Sequence, residues 1–521
     1  MSKSLLKSSG VVGLMTLVSR VLGFVRDVMF AGIFGAGPAM DAFLIAFKIP
    51  NFGRRMFAEG AFSQAFVPVF TETRTVGTTA DARDLLGVVM GTLVGVLSLI
   101  TLMGCLAAPL LVWVFAPGFG ADPGKHALGS ELLRWTFPYL MFISLTAMAS
   151  GVLNSYGRFA VPAFTPVILN VCLIASALID AGSVHLLAYA VFLAGILQFA
   201  FQLPSLRALG VLVRPRWGWR DSRVRRIIGL MIPVMIGSSV AQVSLLLDSA
   251  LASFLGDGSI SWLYYADRLM EFPLGIFSIA IGTVILPTLS VQHAERSAAD
   301  FSATLDWGLR VLAVIGVPAA LGLILFGGPL VAVVFGNGQF GDHDVAMTMY
   351  ALWAYGAGFM GFSLVKVLVP GFYARQETRV PVRYGIIALV CGMAMSLSFF
   401  TAAKLFELPA GHAGLATATS ASAWINAMLL LRRLRRDGAY QPSPGWRMFG
   451  LRLLLANLGL AVVVLVLSGP LQYWLDLAPV AKWLSVLKII GAAGGTYFAV
   501  LWLSGVRPAD FRRAASMEGT R

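Results

Sequence analysis

Runs of about 20 apolar residues, each long enough to cross the roughly 30 Å hydrocarbon core of a membrane as a helix, recur along the whole sequence. Apolar residues make up 58% of the 521 residues and charged residues 12%, whereas soluble domains carry roughly a quarter charged residues. No polar stretch is long enough to form a separate soluble domain. The sequence therefore predicts an all-α protein that crosses a membrane many times.

Hydropathy predicts about 14 transmembrane helices. They cover residues 10–32, 38–71, 84–116, 130–154, 162–182, 185–206, 224–254, 260–289, 303–327, 345–372, 380–403, 412–434, 447–470 and 482–504. The amino-terminal segment has some features of a signal peptide, but Arg20 interrupts its apolar part and no small-residue cleavage site follows. We therefore predict an uncleaved first helix.

The distribution of the net charge of +14 predicts an orientation. With the amino terminus inside, the even-numbered connections hold most of the loop arginines, including Arg74, Arg158, Arg375 and the run from Arg207 to Arg226. Because basic loops stay on the cytoplasmic side, both termini are predicted to be cytoplasmic. The Arg207–Arg226 connection lacks an RNA-binding module, so we interpret it as a lipid-facing loop and expect no nucleic-acid partner.

Three short matches indicate an internal repeat with an offset of about 220 residues. "LLVWVFAPGF" (110–119) resembles "LVAVVFGNGQF" (330–340), "NSYGRFAVP" (154–162) resembles "GFYARQETRVP" (371–381), and "FGAG" (34–37) parallels "LGDG" (255–258). We predict two parallel six-helix lobes, 1–214 and 215–440, followed by spans 13 and 14 and a tail in 441–521. Paired bundles of this kind hold a substrate between them in transporters.

Ionisable residues inside the spans are concentrated in spans 1, 2 and 8. Each lipid-facing charge near the bilayer centre would cost about 2.5–3.5 kcal/mol. The total cost of this number of charges would exceed typical folding stability. They must face water, a ligand or each other, so we predict a charged cavity between the lobes. The residues are Arg20, Arg26, Asp27, Asp41, Lys48, Arg54, Arg55, Glu59, Asp267, Arg268 and Glu271.

Spacing supports a shared face for some of these charges. Arg20 and Asp27 are two helical turns apart, as are Asp41 and Lys48, whereas Pro50 and Gly53 are predicted to break span 2. The acidic residues are interpreted as partners of the basic ones rather than as proton carriers. Because the arginine fork binds phosphate at two points and stays charged when desolvated, the cavity is predicted to bind an anion such as pyrophosphate.

Two isolated charges remain, Asp248 in span 7 and Lys366 in span 10. They are candidates for ion coupling, with local pairing as the alternative reading. No metal site, cofactor or catalytic group is predicted, since the histidines are dispersed near loops and no nucleophile–base pair is evident. Dependence on the membrane potential or on an ion gradient is left open.

Four segments carry a family resemblance: "SRVLGFVRD" (19–27), "DAFLIAFKIPNFGRRMFAEGAFSQAFVP" (41–68), "WLYYADRLMEFPLGIF" (262–277) and "VLVPGFYARQ" (367–376). They resemble the MurJ (MviN-type) lipid II flippases of the multidrug/oligosaccharidyl-lipid/polysaccharide exporter superfamily. The resemblance covers essentially the whole chain. It implies a V-shaped alternating-access transporter with two extra carboxy-terminal helices.

The same resemblance implies a substrate and a location. The family moves lipid II, an undecaprenyl-pyrophosphate-linked disaccharide-pentapeptide, across the bacterial inner membrane for peptidoglycan synthesis, and so serves the cell wall and cell shape. Membrane lipids, and cell-wall synthesis or division proteins, are further candidate partners.

Site residues follow from the resemblance as well. The family's cavity arginines are matched by Arg20, Arg26, Arg54 and Arg268. An acidic residue of the family is matched by Asp41, and the other charges of the spans are expected to support these cavity residues. Spans 13 and 14 match the groove for the lipid tail. Some members bind sodium between spans 7 and 11, but span 11 here contains no Asp or Asn, so a sodium site is not predicted.

Four alternatives compete with this interpretation. An ion-coupled drug exporter of the same superfamily would favour carboxylates and aromatic rings around a cationic substrate, whereas basic groups here at least equal the acidic ones. An exporter of another polyprenyl-linked oligosaccharide stays open. A polyprenyl-phosphate glycosyltransferase would need catalytic groups that the sequence does not supply, and a scaffold would not need buried charges.

Overall fold

The computed structural model describes residues 3–55 and 61–507, with side chains except at 3–9, 11, 236–245 and 276–284. Within these ranges every regular element is a helix. Contacts divide the chain into two compact units, Met1–Ser261 and Trp262–Arg521. The prediction of an all-α fold is thus confirmed.

The described residues of the first unit form ten α-helices and a short 3-10 helix at Pro117–Ala121, and the unit ends as the eleventh α-helix begins. The α-helices are α1 (Lys3–Phe34), α2 (Pro38–Arg54), α3 (Ser63–Val76), α4 (Thr79–Leu106), α5 (Ala108–Phe115), α6 (Pro123–Thr136), α7 (Tyr139–Ser155), α8 (Ala160–Ile179), α9 (Val184–Ala208) and α10 (Ser222–Ser253). Helix α11 (Ser259–Ala294) crosses the division between the units.

The second unit continues from α11 through eight further helices of the described chain. They are α12 (Ala298–Leu325), α13 (Gly327–Val334), α14 (Asp342–Tyr373), α15 (Arg379–Leu405), α16 (Gly411–Arg436), α17 (Trp446–Ser468), α18 (Leu471–Asp476) and α19 (Pro479–Leu503).

Ten helical segments of the described chain are long and apolar enough to cross a membrane. They match predicted spans 3 to 6 and 9 to 14, and they make the chain a multi-pass membrane protein. Span 4 begins earlier than predicted, because the segment Pro123–Ser155 joins α6 and α7 across Pro138. Spans 1, 2, 7 and 8 are not among the ten, so the count of fourteen stays a prediction.

Matched helix lengths support the predicted repeat. Helices α1 and α10 both have 32 residues, α4 and α12 both have 28, and the short α5 and α13 both have 8. Both short helices carry a proline near their start, where its missing N–H costs nothing. These three pairs of helices occupy corresponding places in the two halves.

Packing places α10 with the first unit, although the repeat assigns it to the second half. Helix α10 contacts α3, α4, α5 and the 3-10 helix. Ile227 of α10 is buried in a cluster with Phe70 of α3, Leu85 of α4 and Leu153 of α7. The compact first unit thus extends beyond residue 214, while the predicted lobe boundaries, defined by the repeat, stay a prediction.

Span 2 was predicted to break at Pro50 and Gly53; α2 passes through Pro50, and the regular α-helix ends at Arg54, directly after Gly53. Proline cannot donate a hydrogen bond to the carbonyl four residues earlier, which belongs to Ala46. The hydroxyl of Thr136 donates to that carbonyl instead, at 2.6 Å. At Gly53 a Cβ atom would lie 2.9 Å from Leu140, so this glycine permits close packing against α7.

A buried carboxylate attaches the connector between α16 and α17 to α12. Asp306 is 3% exposed and accepts hydrogen bonds from Tyr440 Oη at 2.9 Å and Trp446 Nε1 at 2.6 Å. Arg310 Nε donates to its other oxygen at 2.9 Å. The first helix of the carboxy-terminal pair, α17, therefore starts from a fixed point on the second unit.

Candidate functional site

Arg26 is held by two neighbours inside the first unit. Its Nε and Nη2 donate to Asp27 Oδ1 at 2.9 and 2.7 Å, and its Nη1 donates to Asn170 Oδ1 of α8 at 3.0 Å. Asn170 in turn donates to the Ser19 carbonyl at 3.0 Å. Asn170 was not among the predicted site residues. The sequence signal that could have identified it is an amide side chain within a mostly apolar span.

Arg20 and Asp27 were predicted to share a face of the first helix, but their side chains lie in different environments. Arg20 is exposed, whereas Asp27 is 2% exposed and paired with Arg26. Both lie on α1. The buried pair belongs to the contact between α1 and α8, while Arg20 presents its charge on the surface of the first unit.

Asp41 accepts four hydrogen bonds and is 1% exposed. Its Oδ1 accepts from the backbone N and hydroxyl of Ser261 at 2.9 and 2.7 Å. Its Oδ2 accepts from the Gly258 N at 2.9 Å and from Lys125 Nζ at 3.0 Å. The carboxylate thus caps the amino-terminal turn of α11, where the helix dipole favours negative charge.

Lys125 is the basic partner of this carboxylate and is 8% exposed. Its ammonium group also contacts Asp257 Oδ1 at 2.8 Å and lies 4.5 Å from the centroid of the Phe119 ring. Asp122 caps the start of α6 and so holds this segment in place. Lys125 was not among the predicted site residues, because a lysine in an apparent outer connection gives no sign of burial.

Lys48 completes the attachment of α10 and α11 to α2. Its ammonium group donates a hydrogen bond to the hydroxyl of Ser249 in α10. Asp41 and Lys48 therefore do share a face of α2, as predicted from their spacing, and both use it within the first unit. Asp41 faces protein donors rather than an open cavity.

Two of the remaining charges of span 2, Arg54 and Arg55, lie where α2 ends. Arg54 is half-buried and its Nε donates to Asn51 Oδ1 at 3.1 Å. Arg55 is exposed. Glu59 lies outside the described residues. Arg54 and Arg55 thus present guanidinium groups where the regular α-helix stops.

In the second unit Arg268 pairs with Glu271, one turn later on α11. The Nη1–Oε2 distance is 2.7 Å, and the guanidinium lies 4.8 Å from the centroid of the Tyr264 ring. Asp267 is half-buried beside them. The predicted role of acidic residues as partners of arginines fits Glu271 here and Asp27 in the first unit.

The two candidates for ion coupling lie apart along the chain and in different settings. Asp248 is half-buried in α10, and Lys366 is exposed in α14. Among the described residues no group of three or more His, Cys, Asp or Glu side chains has the arrangement of a metal site. Ion coupling at either residue stays a prediction.

Sequence comparison identifies the family. A family model described as lipid II flippase MurJ matches residues 30–481. The chain belongs to the MurJ lipid II flippase family. It is 46% identical to a probable lipid II flippase MurJ of Vibrio cholerae serotype O1, with 98% of each chain covered. It is 40% identical to the lipid II flippase MurJ of Burkholderia cenocepacia, covering 96% of this chain and 97% of the relative.

Solved structures show the same fold as this MurJ family member. A lipid II flippase MurJ in an inward closed conformation aligns with a TM-score of 0.73 and 23% identity, covering 97% of this chain and 99% of that one. An inward-facing multidrug resistance MATE transporter of the MOP superfamily aligns with a TM-score of 0.67 and 13% identity, over 84% and 99%. The predicted family and transporter fold are confirmed, and the family is one of transporters rather than enzymes.

Proposed function

We propose that this protein is a lipid II flippase, which moves the undecaprenyl-pyrophosphate-linked peptidoglycan precursor from the cytoplasmic to the periplasmic leaflet by alternating access. One observation carries the proposal: full-length relatives at 46% and 40% identity are named for this substrate. The chain would lie in the bacterial inner membrane with both termini in the cytoplasm.

The described charges support an anionic rather than a cationic substrate. The buried carboxylates of Asp27 and Asp41 are already paired with Arg26 and Lys125. A cationic drug would need carboxylates that are not neutralised in this way. This argues against the drug-exporter alternative, although the fold is shared with such transporters.

Arg20, Arg26, Arg54 and Arg268 are proposed to bind the pyrophosphate. A guanidinium group binds phosphate oxygens through two parallel hydrogen bonds, and each charge-assisted bond contributes roughly 1.5–3 kcal/mol. Loss of one should weaken capture by about one to two orders of magnitude. Lysine keeps the charge without the fork, so Arg→Lys should restore function only in part.

The carboxy-terminal helices α17 and α19 are proposed to hold the polyprenyl tail. They pack on each other and fall outside the repeat, and α19 is attached to the second unit by Lys482 Nζ, which donates to the Gly336 carbonyl at 3.2 Å. Energy coupling is proposed to use the membrane potential or an ion gradient, with no cofactor. Other cell-wall proteins as partners stay a proposal.

The function is tested by depleting the chromosomal copy and measuring lipid II in each leaflet separately. The parent should restore outer-leaflet lipid II, and the Arg54→Ala variant should not, although it inserts normally. The matched control is Arg83→Ala, an exposed arginine on α4. Unchanged outer-leaflet lipid II after depletion would overturn the proposal.

A further inference from the structure

The connection between α9 and α10 forms a strap, defined here as residues 211–221, that lies against α4. Val211–Gly218 form no helix, and the backbone N of Arg216 donates to the Gly87 carbonyl at 2.8 Å. The backbone N of Gly218 donates to the hydroxyl of Thr92 at 3.3 Å. The strap is therefore a docked segment with fixed backbone partners.

Glycines on α4 make room for the strap. Gly87, Gly91 and Gly95 recur one turn apart and so lie on one face of the helix. A Cβ atom at Gly91 would collide with the backbone of Arg216, and one at Gly95 would collide with the ring of Trp217. The strap thus occupies a groove that only glycine leaves open.

Ion pairs fix the middle of the strap and its carboxy-terminal end. Asp84 on α4 pairs with Arg216 of the strap and with Arg223 at the start of α10, the latter at 2.6 Å. Arg223 also pairs with Asp221 at 2.7 Å. Hydrogen bonding to Arg223 lowers the pKa of the Asp221 carboxyl, so the carboxylate stays charged. The strap consequently sets where α10 begins.

The strap carries two partly exposed aromatic rings and a group of exposed basic residues. Trp217 is 65% exposed and Trp219 is 46% exposed, and their rings stack with centroids 6.3 Å apart. Arg214, Arg220 and Arg225 are exposed around them. Tryptophan favours the boundary between head groups and acyl chains, and arginine favours anionic head groups.

We propose that the strap is a binding surface for anionic phospholipid, with Trp217 and Trp219 inserted at the head-group level and Arg214, Arg220 and Arg225 against the lipid phosphates. The occupant is an anionic membrane leaflet because the exposed charged residues of the strap itself, Arg214, Arg216 and Arg220, are all basic and flank an aromatic pair. Lipid bound here would hold the start of α10 at the membrane surface. The choice of the cytoplasmic leaflet rests on the proposed orientation.

Tryptophan fluorescence tests the surface directly. The full-length protein is reconstituted into phosphatidylcholine whose acyl chains are brominated near the head group, with and without phosphatidylglycerol. The difference between the parent and the Trp217→Phe/Trp219→Phe variant reports on the pair. We expect strong quenching of the pair that increases when phosphatidylglycerol is present. Quenching of the pair by aqueous iodide alone would overturn the proposal.

Charge variants test the lipid class. Each basic residue near an anionic surface strengthens binding to that surface about fivefold. Arg214→Gln/Arg220→Gln/Arg225→Gln should therefore raise the phosphatidylglycerol content that gives a half-maximal response by about tenfold or more. The control removes three exposed arginines elsewhere, Arg158, Arg207 and Arg436. An equal effect from the control would show general charge attraction and contradict a defined surface.

A third variant tests the docking groove. Gly91→Ala should expel the strap, increase tryptic cleavage after Arg216 and Arg220, and abolish the response of the tryptophan pair to phosphatidylglycerol. Gly229→Ala is the control, because nothing lies within 4 Å of the added Cβ atom. A Gly91→Ala variant that resists trypsin like the parent and keeps the lipid response would refute the docked strap.

Discussion

Asp41 and Lys125 form a buried ion pair, 3.0 Å apart, that joins α2 to α6 and, through the other bonds of the carboxylate, to the start of α11. Both side chains are almost fully removed from solvent. A pair of this kind has a desolvation cost that the mutual attraction and the additional hydrogen bonds offset. The charges of α2 are therefore accounted for in large part by internal attachment.

Removing both partners of this pair should cost less stability than the two single changes added together. Asp41→Asn leaves the Lys125 ammonium group buried without the negative charge of Asp41. Lys125→Met leaves the Asp41 carboxylate buried without the positive charge of Lys125. Each single change should lower the free energy of unfolding by about 3–5 kcal/mol. Asp41→Asn/Lys125→Met should be less destabilising than the sum of the single changes. Thermal unfolding of the purified protein in detergent measures the cycle. Additive effects would contradict the pairing.

Thr136 should matter because Pro50 is present. Thr136→Val removes the donor to the Ala46 carbonyl and should destabilise by about 1–3 kcal/mol, since a buried acceptor is left without a partner. Pro50→Ala restores a backbone N–H for that carbonyl. In the Pro50→Ala background, Thr136→Val should therefore cost clearly less. The same cost in both backgrounds, measured by thermal unfolding, would exclude this explanation.

Asn170 should act through Arg26. Asn170→Leu removes an acceptor from the guanidinium group and should reduce function by about tenfold or more, because a hydrogen bond to a charged group is worth roughly 1.5–3 kcal/mol. Complementation of a depleted strain and lipid II binding measure the effect, with Asn154→Leu, an exposed asparagine, as control. If Asn170→Leu binds lipid II like the parent, Arg26 needs no such support.

Because of Tyr440, the free energy of unfolding should decrease at alkaline pH. Burial, together with the hydrogen bond to Asp306, raises the pKa of the Tyr440 hydroxyl above its ordinary value. The unfolded chain loses this proton from about pH 10. The stabilisation is therefore complete below about pH 10 and is lost as the pH rises toward the folded-state pKa.

Comparison with Tyr440→Phe isolates this effect from other alkaline titrations. Below about pH 10 the parent should unfold at a higher temperature than the variant, and the difference should shrink as the pH rises. Thermal unfolding across the alkaline range measures it. A difference that stays constant with pH would mean that the Tyr440 proton does not contribute.

Composition and apolar length were enough to predict the class of the fold, and the sequence also predicts a repeat. Apolar length and composition dictate membrane-spanning helices because a bilayer leaves no partner for unpaired backbone groups. The duplicated segments at 110–119 and 330–340 already indicated two related halves, and the matched lengths of α5 and α13 agree with them. Spacing also predicted correctly that Asp41 and Lys48 lie on one face of α2.

Only the tertiary structure decided what those charges contact. The partners of Asp41 come from segments far along the chain, at Lys125, Gly258 and Ser261. Local sequence shows that a charge needs compensation, but not which distant group supplies it. Pro50 is the same case: its effect on α2 depends on the Thr136 hydroxyl, which packing alone brings to the Ala46 carbonyl.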